Sequence, residues 1–258
     1  MYTQRLLLLL TLGFTPLLIT VKAFAGELKI LDVAVGWGKP PYIDQKNHSG
    51  YEIELVEDIM LPLGYRLNFL YVPYGRSLRM LQSGHVDLML TAHDRLGIDP
   101  KYLSEHYIVY QNVAVTLKRN HIKINRIEDL SKHSLVSFQN ARLVLGNKFH
   151  DVVESNPSYT ELPDQRNQVE MLFKGKTSVI VLDRNIFTYF ERALSENRSL
   201  EDYEIHPIFP ENHYKVAFKN PDIKSQFNQS LAQFIKTKEY ILLQEKYALS
   251  SQVRPDSF

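Results

Sequence analysis

Residues 28–42 read LKILDVAVGWGKPPY, residues 50–64 read GYEIELVEDIMLPLG, and residues 66–90 read RLNFLYVPYGRSLRMLQSGHVDLML. The branched run 28–35 predicts a strand, and its Gly and Pro content makes Gly36-Trp37-Gly38-Lys39-Pro40-Pro41-Tyr42 a loop. Ile53, Val56, Ile59, Met60 and Leu63 fall at helical spacing. An amphipathic helix over 51–63 is therefore expected after Ser49-Gly50, ending at Gly64. Residues 67–72 predict a second strand, 77–82 a short helix closed by Ser83-Gly84, and 86–90 a third strand. Strand and helix in strict alternation imply parallel pairing through helical crossovers, hence an α/β fold.

Outward toward the C-terminus, residues 107–117 (YIVYQNVAVTL) form a longer β-like stretch, followed by a polar linker over 118–125. A second series follows, with strands expected at 134–138 and 178–182 and helices at 142–149, 165–173 and 186–194. Strands at 205–209 and 214–218 and helices at 223–234 and 239–248 complete it, and the tail 252–258 is expected to be disordered. Residues 80–87 (MLQSGHVD) and 171–178 (MLFKGKTS) share a helix, glycine, strand plan. Two Rossmann-like lobes of similar plan would produce this echo.

Outward toward the N-terminus, Arg5 precedes the uncharged, mostly apolar run 6–21, and Ala23-Phe24-Ala25 fits a small-x-small cleavage site. The run is short for a membrane span and is interrupted by Gly13 and Pro16. Residues 1–25 are read as a signal peptide with Gly26 first in the mature chain, and the expected location is the periplasm. The 258 residues carry 30 Lys+Arg against 29 Asp+Glu, a net charge of +1, too balanced for tracking nucleic-acid phosphates. Cysteine is absent, which excludes disulfides, thiolate metal sites, iron–sulfur clusters and cysteine nucleophiles.

Enzymatic signatures fail in turn. Gly36-Trp37-Gly38 lacks the third glycine of a dinucleotide loop, no G-x-S-x-G elbow occurs, and the nine histidines form no metal-ligand pair. Neither a cofactor nor a metal is expected. What remains is a set of polar and aromatic residues just after strands, where open parallel sheets bind ligands. Trp37 and Tyr42 follow the first strand, Tyr74 and Arg76 the second, Thr91 and Arg95 the third. In the second series Asn140 and Arg142 follow one strand and Asp183 another. Each has a plainer alternative. Trp37 can be core packing, Tyr42 can buttress its loop, Arg95 can be a solvated arm, and Asp183 can cap the helix beginning near Ile186. Arg76 opens a helix, against the macrodipole, which favours a carboxylate partner or a ligand.

Several segments carry a family pattern in order: Pro40-Pro41-Tyr42, Gly50-Tyr51-Glu52-Ile53-Glu54-Leu55, Val72-Pro73-Tyr74, Leu81-Gln82-Ser83-Gly84-His85-Val86-Asp87, Leu103-Ser104-Glu105-His106-Tyr107 and Asp183-Arg184. Over nearly all of the chain after residue 25 this resembles the bacterial extracellular solute-binding proteins of family 3, the polar amino-acid type. The resemblance implies a type II periplasmic binding protein-like fold, two Rossmann-like lobes joined by a two-strand hinge near 112–117 and 205–209. Residues 26–112 with 209–258 would form one lobe and 113–208 the other. It implies a small polar ligand clamped between the lobes, Arg95 gripping a carboxylate and Asp183 an ammonium. Two departures stand out: residues 90–95 lack the family's glycine, and Gln139-Asn140-Ala141-Arg142 replaces a Gly-Thr segment that offers backbone donors. The implied partner is an ABC transporter permease or a membrane receptor, with the protein itself a monomer. An exported enzyme similar to the cyclohexadienyl dehydratases is the rival, with Glu161, Asp94 and Asp183 as its candidate acids and bases.

Overall fold

The computed structural model describes residues 27–195 and 202–249. The segment read as a signal peptide and the tail 252–258 lie outside these described residues. The chain runs β1 (Lys29–Val35), α1 (Tyr51–Met60), β2 (Tyr65–Tyr71), α2 (Tyr74–Gln82), β3 (Leu88–Ala92), β4 (Leu103–Leu117), β5 (Leu135–Phe138), α3 (Ala141–Val144), α4 (Asn147–Glu154), β6 (Tyr159–Leu162), α5 (Gln165–Phe173), β7 (Val179–Asp183), α6 (Arg184–Ser195), β8 (Tyr203–His206), β9 (Glu211–Phe218), α7 (Pro221–Phe234) and α8 (Lys238–Lys246).

The expected parallel pairing holds: β1 lies between β2 and β3, parallel to both, and β5 lies between β6 and β7 in the same way. The sheet order is β2-β1-β3-β9-β4-β7-β5-β6, with β8 attached to β4. The long strand β4 joins the two halves. Its stretch Leu103 to Gln111 pairs antiparallel with β9, and Asn112 to Leu117 pairs with β7 and β8. The result is a curled mixed sheet in an α/β fold of two Rossmann-like halves. β3 and β7 are buried at every position, as strands covered by helices on both faces must be.

Alternation along those strands feeds separate cores. Leu88 and Leu90 of β3 and Ile180 and Leu182 of β7 join the largest cluster, which also takes in α1 and α7. Met89 and the pair Val179 and Val181 point the other way into two smaller clusters. Helix α1 inserts Ile53, Leu55, Val56, Ile59 and Met60 into the main core. Its entry depends on Gly50, whose φ is 128°, and a Cβ there would collide with the Tyr42 carbonyl oxygen. Side-chain caps from Asp164, Asn220 and Thr237 start α5, α7 and α8.

Three differences from the sequence expectation have a clear physical reason. The helix expected at 142–149 is two helices, divided at Gly146, where φ is 90°. The strand β6 carries no strong apolar alternation, being half-exposed at the sheet edge, and its sequence did not announce it. The strand expected at 205–209 ends at His206, because Pro207 has no N–H to continue a ladder. Among the described residues no helix is long and apolar enough to cross a membrane.

Candidate functional site

A cleft of about 570 Å³ opens at the carboxyl ends of β1, β3, β5 and β7, where β4 passes from one half of the sheet to the other. Gly36, Trp37, Lys39, Thr91, His93 and Arg95 line it from one half. Phe138, Gln139, Asn140, Gln165, Asp183 and Ile186 line it from the other. Tyr110 and Asn112 of β4 and Tyr214 of β9 form the floor.

The loop after β1 is held by a hydrogen bond from the Lys39 N–H to the Ile43 carbonyl at 2.8 Å and contains a cis Pro40–Pro41 peptide. It turns Trp37 outward, 61% exposed at the cleft mouth, so the ring is not core packing. Lys39 turns inward. Its Nζ lies 3.9 Å from Glu52 Oε2 and 4.5 Å from the centre of the Tyr110 ring. Burial pulls the Lys39 ammonium below its ordinary pKa, while the Glu52 and Asp183 carboxylates pull back.

Glu52, on α1, is wholly buried behind the cleft. Oε1 accepts from the Thr91 hydroxyl at 2.8 Å and from the Tyr107 hydroxyl, and Oε2 accepts from the Tyr110 hydroxyl at 2.9 Å. Burial, then the Glu52 charge, holds Tyr107 and Tyr110 well above the normal phenol range, so both remain donors. A register shift in β3 leaves Thr91 at φ 56°, a left-handed conformation costly for a β-branched residue. The bond from its N–H to the Tyr107 oxygen at 2.9 Å and the one to Glu52 hold it there.

Asp183 ends β7, caps the next helix and lines the cleft. Oδ1 accepts from the N–H groups of Asn185 (2.9 Å) and Ile186 (3.1 Å), which caps α6, and from the Tyr42 hydroxyl at 3.1 Å. Oδ2 accepts from the Gln111 N–H of β4 at 2.9 Å and the residue also lines the cleft. Burial raises its carboxyl to about 6 against the pull of those hydrogen bonds. Tyr42 itself is fully buried, stacked on Tyr110 at 4.0 Å, and accepts from Asn185 Nδ2 at 2.9 Å. It buttresses the floor and ties the two halves together rather than lining the cleft.

Of the residues singled out from sequence, the structure thus brings Trp37, Thr91, Arg95, Asn140 and Asp183 to one cleft. Arg76 is exposed on α2 and is not a lining residue, so the polar partner expected from its place at a helix start is not the cleft. Tyr74 is the first residue of α2. Arg142 also stands outside the lining, because Glu161 holds it, with Nε 3.7 Å from Oε1. Glu161 takes the Arg142 N–H at 3.0 Å, the Asn140 N–H at 2.7 Å and the Tyr159 hydroxyl at 2.7 Å. Burial opposes its ionisation, and these bonds prevail to keep its pKa low.

Sequence reasoning did not single out Lys39, Glu52, Tyr110 or Tyr214. Gly-Lys-Pro-Pro and the acid after Gly50-Tyr51 were visible as loop and helix signals only. Burial, then the Arg95 charge, lowers the His93 pKa, and its Nδ1 is buried without a hydrogen-bond partner. Among the described residues no three His, Asp or Glu side chains converge to hold a metal.

The sequence pattern described as bacterial extracellular solute-binding proteins, family 3, matches residues 31–250. No curated protein matches the sequence. Among solved structures the chain is similar to a histidine kinase sensor domain with similarity to periplasmic binding proteins, with TM-score 0.66, 17% identity, and coverage of 89% of this chain and 99% of that one. It is similar to an ancestral arginine-binding protein bound to arginine, with TM-score 0.63, 20% identity, and coverage of 86% and 99%. A third is an ABC uptake transporter substrate-binding protein from Streptococcus pneumoniae with bound histidine, with TM-score 0.61, 17% identity, and coverage of 84% and 92%. At these identities the likeness establishes the fold.

Proposed function

The chain belongs to the bacterial extracellular solute-binding proteins, family 3, and from that premise we propose that it captures a small polar ligand, an amino acid or a related compound, between two lobes that close on it. In this reading residues 26–112 with 209–258 form one lobe and 113–208 the other. Trp37, Thr91 and Arg95 meet the ligand from the first, Asn140 and Asp183 from the second. The observation that carries the reading is the cleft, whose walls come from strand ends on both sides of β4. A ligand touching both walls favours the closed arrangement, since only that arrangement offers both sets of contacts. Hinge closure around ligands in periplasmic binding proteins is a standard case of such switching.

The protein is exported after removal of residues 1–25, acts as a monomer and delivers its ligand unchanged to an ABC transporter permease. A second role, presenting the closed complex to a membrane receptor, draws support from the fold likeness to a histidine kinase sensor domain. Calorimetry of the purified protein against amino acids, polyamines, short peptides and organic acids tests the binding, with small-angle scattering to register closure. Tight binding by one member, a smaller radius of gyration with it, and its recovery intact by mass spectrometry are expected. Absence of binding across the whole panel overturns the reading, and chemical conversion of a bound member turns the protein into an enzyme. N-terminal sequencing of periplasmic protein should start at Gly26, and a retained Met1 overturns the export step.

A further inference from the structure

The charges inside the cleft are already paired in a way that restricts its guest. Lys39 places an ammonium beside Glu52 and over the face of Tyr110, an arrangement suited to holding a cation. Both neighbouring acids already hold other donors. Glu52 is buried behind the surface and spends both oxygens on three hydroxyls. Asp183 accepts four hydrogen bonds, three on Oδ1 from Tyr42, Asn185 and Ile186 and one on Oδ2 from Gln111.

The Asn140 and Arg142 N–H groups at the start of α3 are taken as well, by Glu161. Among the lining side chains, Lys39 and the exposed Arg95 carry the positive charge that a guest can meet. At the mouth, Trp37, Leu143 and Val144 are 61%, 73% and 48% exposed and face the same cleft. Apolar surface of this kind is covered when an apolar guest fills the space.

We propose that the ligand is an organic carboxylate with an apolar body and no ammonium group, its anion held by Lys39 and Arg95. A zwitterionic guest would bring a second ammonium into the cleft that Lys39 lines, where it meets a like charge in a site of low dielectric. The inference rests on the cleft being the ligand site proposed above and adds the chemical class of the guest.

Matched pairs test it. The full-length mature protein is unfolded, dialysed to remove any co-purified compound, refolded, and titrated calorimetrically. The probes are hydrocinnamate against phenylalanine, isocaproate against leucine, and glutarate against glutamate, with phenethylamine as a cation. Each acid should bind about 10-fold or more tightly than its α-amino counterpart, and hydrocinnamate more tightly than glutarate. A preference for the amino acids, or binding of phenethylamine over hydrocinnamate, overturns the inference and leaves the two-lobe reading standing. Silence from these probes and from the broader panel overturns both. Lys39→Gln should lower hydrocinnamate affinity by about 10-fold and shrink the gap to phenylalanine. A folded variant with the gap unchanged removes Lys39 from the mechanism. Should that variant fail to fold, the wild-type pairs still decide.

Discussion

Replacing Glu52 by Gln keeps the shape of the buried side chain and deletes its charge, which makes it the sharpest probe of the network behind the cleft. The carboxylate accepts from Thr91, Tyr107 and Tyr110 and faces Lys39 Nζ at 3.9 Å. At an effective dielectric of about 20, the ion pair alone is an attraction of about 4 kcal/mol. Three charge-assisted bonds each lose about 1 kcal/mol on becoming neutral ones, and the amide nitrogen turns a donor toward the Tyr110 hydroxyl or the ammonium. Neutralisation of Lys39 and rotation of the hydroxyls recover part of this. The net cost expected is about 3–5 kcal/mol, the range for breaking a buried pair from one side. For a chain of this size that lowers Tm by about 10 °C. Urea and thermal unfolding, followed by circular dichroism, measure it. The double variant E52Q/K39M, which also removes the ammonium and keeps an amide to meet the three hydroxyls, should regain part of the loss. A Glu52→Gln protein within about 1 kcal/mol of wild type would refute the claim that this cluster is a dry, mutually dependent unit.

Asp183, raised to about 6 in the folded protein, binds its proton more tightly folded than unfolded, so its share of stability is full below the unfolded carboxyl pKa and is lost as pH rises through about 6. Unfolding free energies of wild type and Asp183→Asn should therefore diverge by about 2–3 kcal/mol between pH 4 and 7, with wild type losing ground at the upper end, and parallel curves would contradict the burial argument. Glu161→Gln should cost about 1–2 kcal/mol by weakening the cap on α3. Because the folded pKa of Glu161 is depressed, that loss should fade as pH falls through the folded value, and a pH-independent difference would point to shape instead. Gly50→Ala should cost about 3 kcal/mol or more, since a Cβ collides with the Tyr42 carbonyl at φ 128°, and a near-neutral result would mean the loop can shift freely. Trp37, the sole tryptophan, is 61% exposed, so its emission should move to the blue when a ligand closes the cleft. Trp37→Ala should leave stability within about 0.5 kcal/mol and weaken ligand affinity, and an unmoved emission on binding would place the ring outside the contact.

Much of the fold is legible in the sequence because its signals are local. The branched run before Gly36, the helical spacing from Ile53 to Leu63 and the glycine stops at Gly64 and Gly84 each act within a few residues, so strand and helix follow from backbone preference and burial alone. The position of ligand-facing residues at strand ends follows from the α/β plan, and Trp37, Thr91, Arg95, Asn140 and Asp183 do reach one cleft. Edge strand β6 and the break at Gly146 escape such reading, since neither depends on a strong apolar period. Nothing in the order of residues pairs Lys39 with Glu52, hands Glu52 to Tyr107 and Tyr110, or brings Tyr42 and Gln111 to the Asp183 carboxylate. Those pairings join residues far apart in the chain. Their strength comes from exclusion of water, and only the packed tertiary structure determines which charges lose their solvent together.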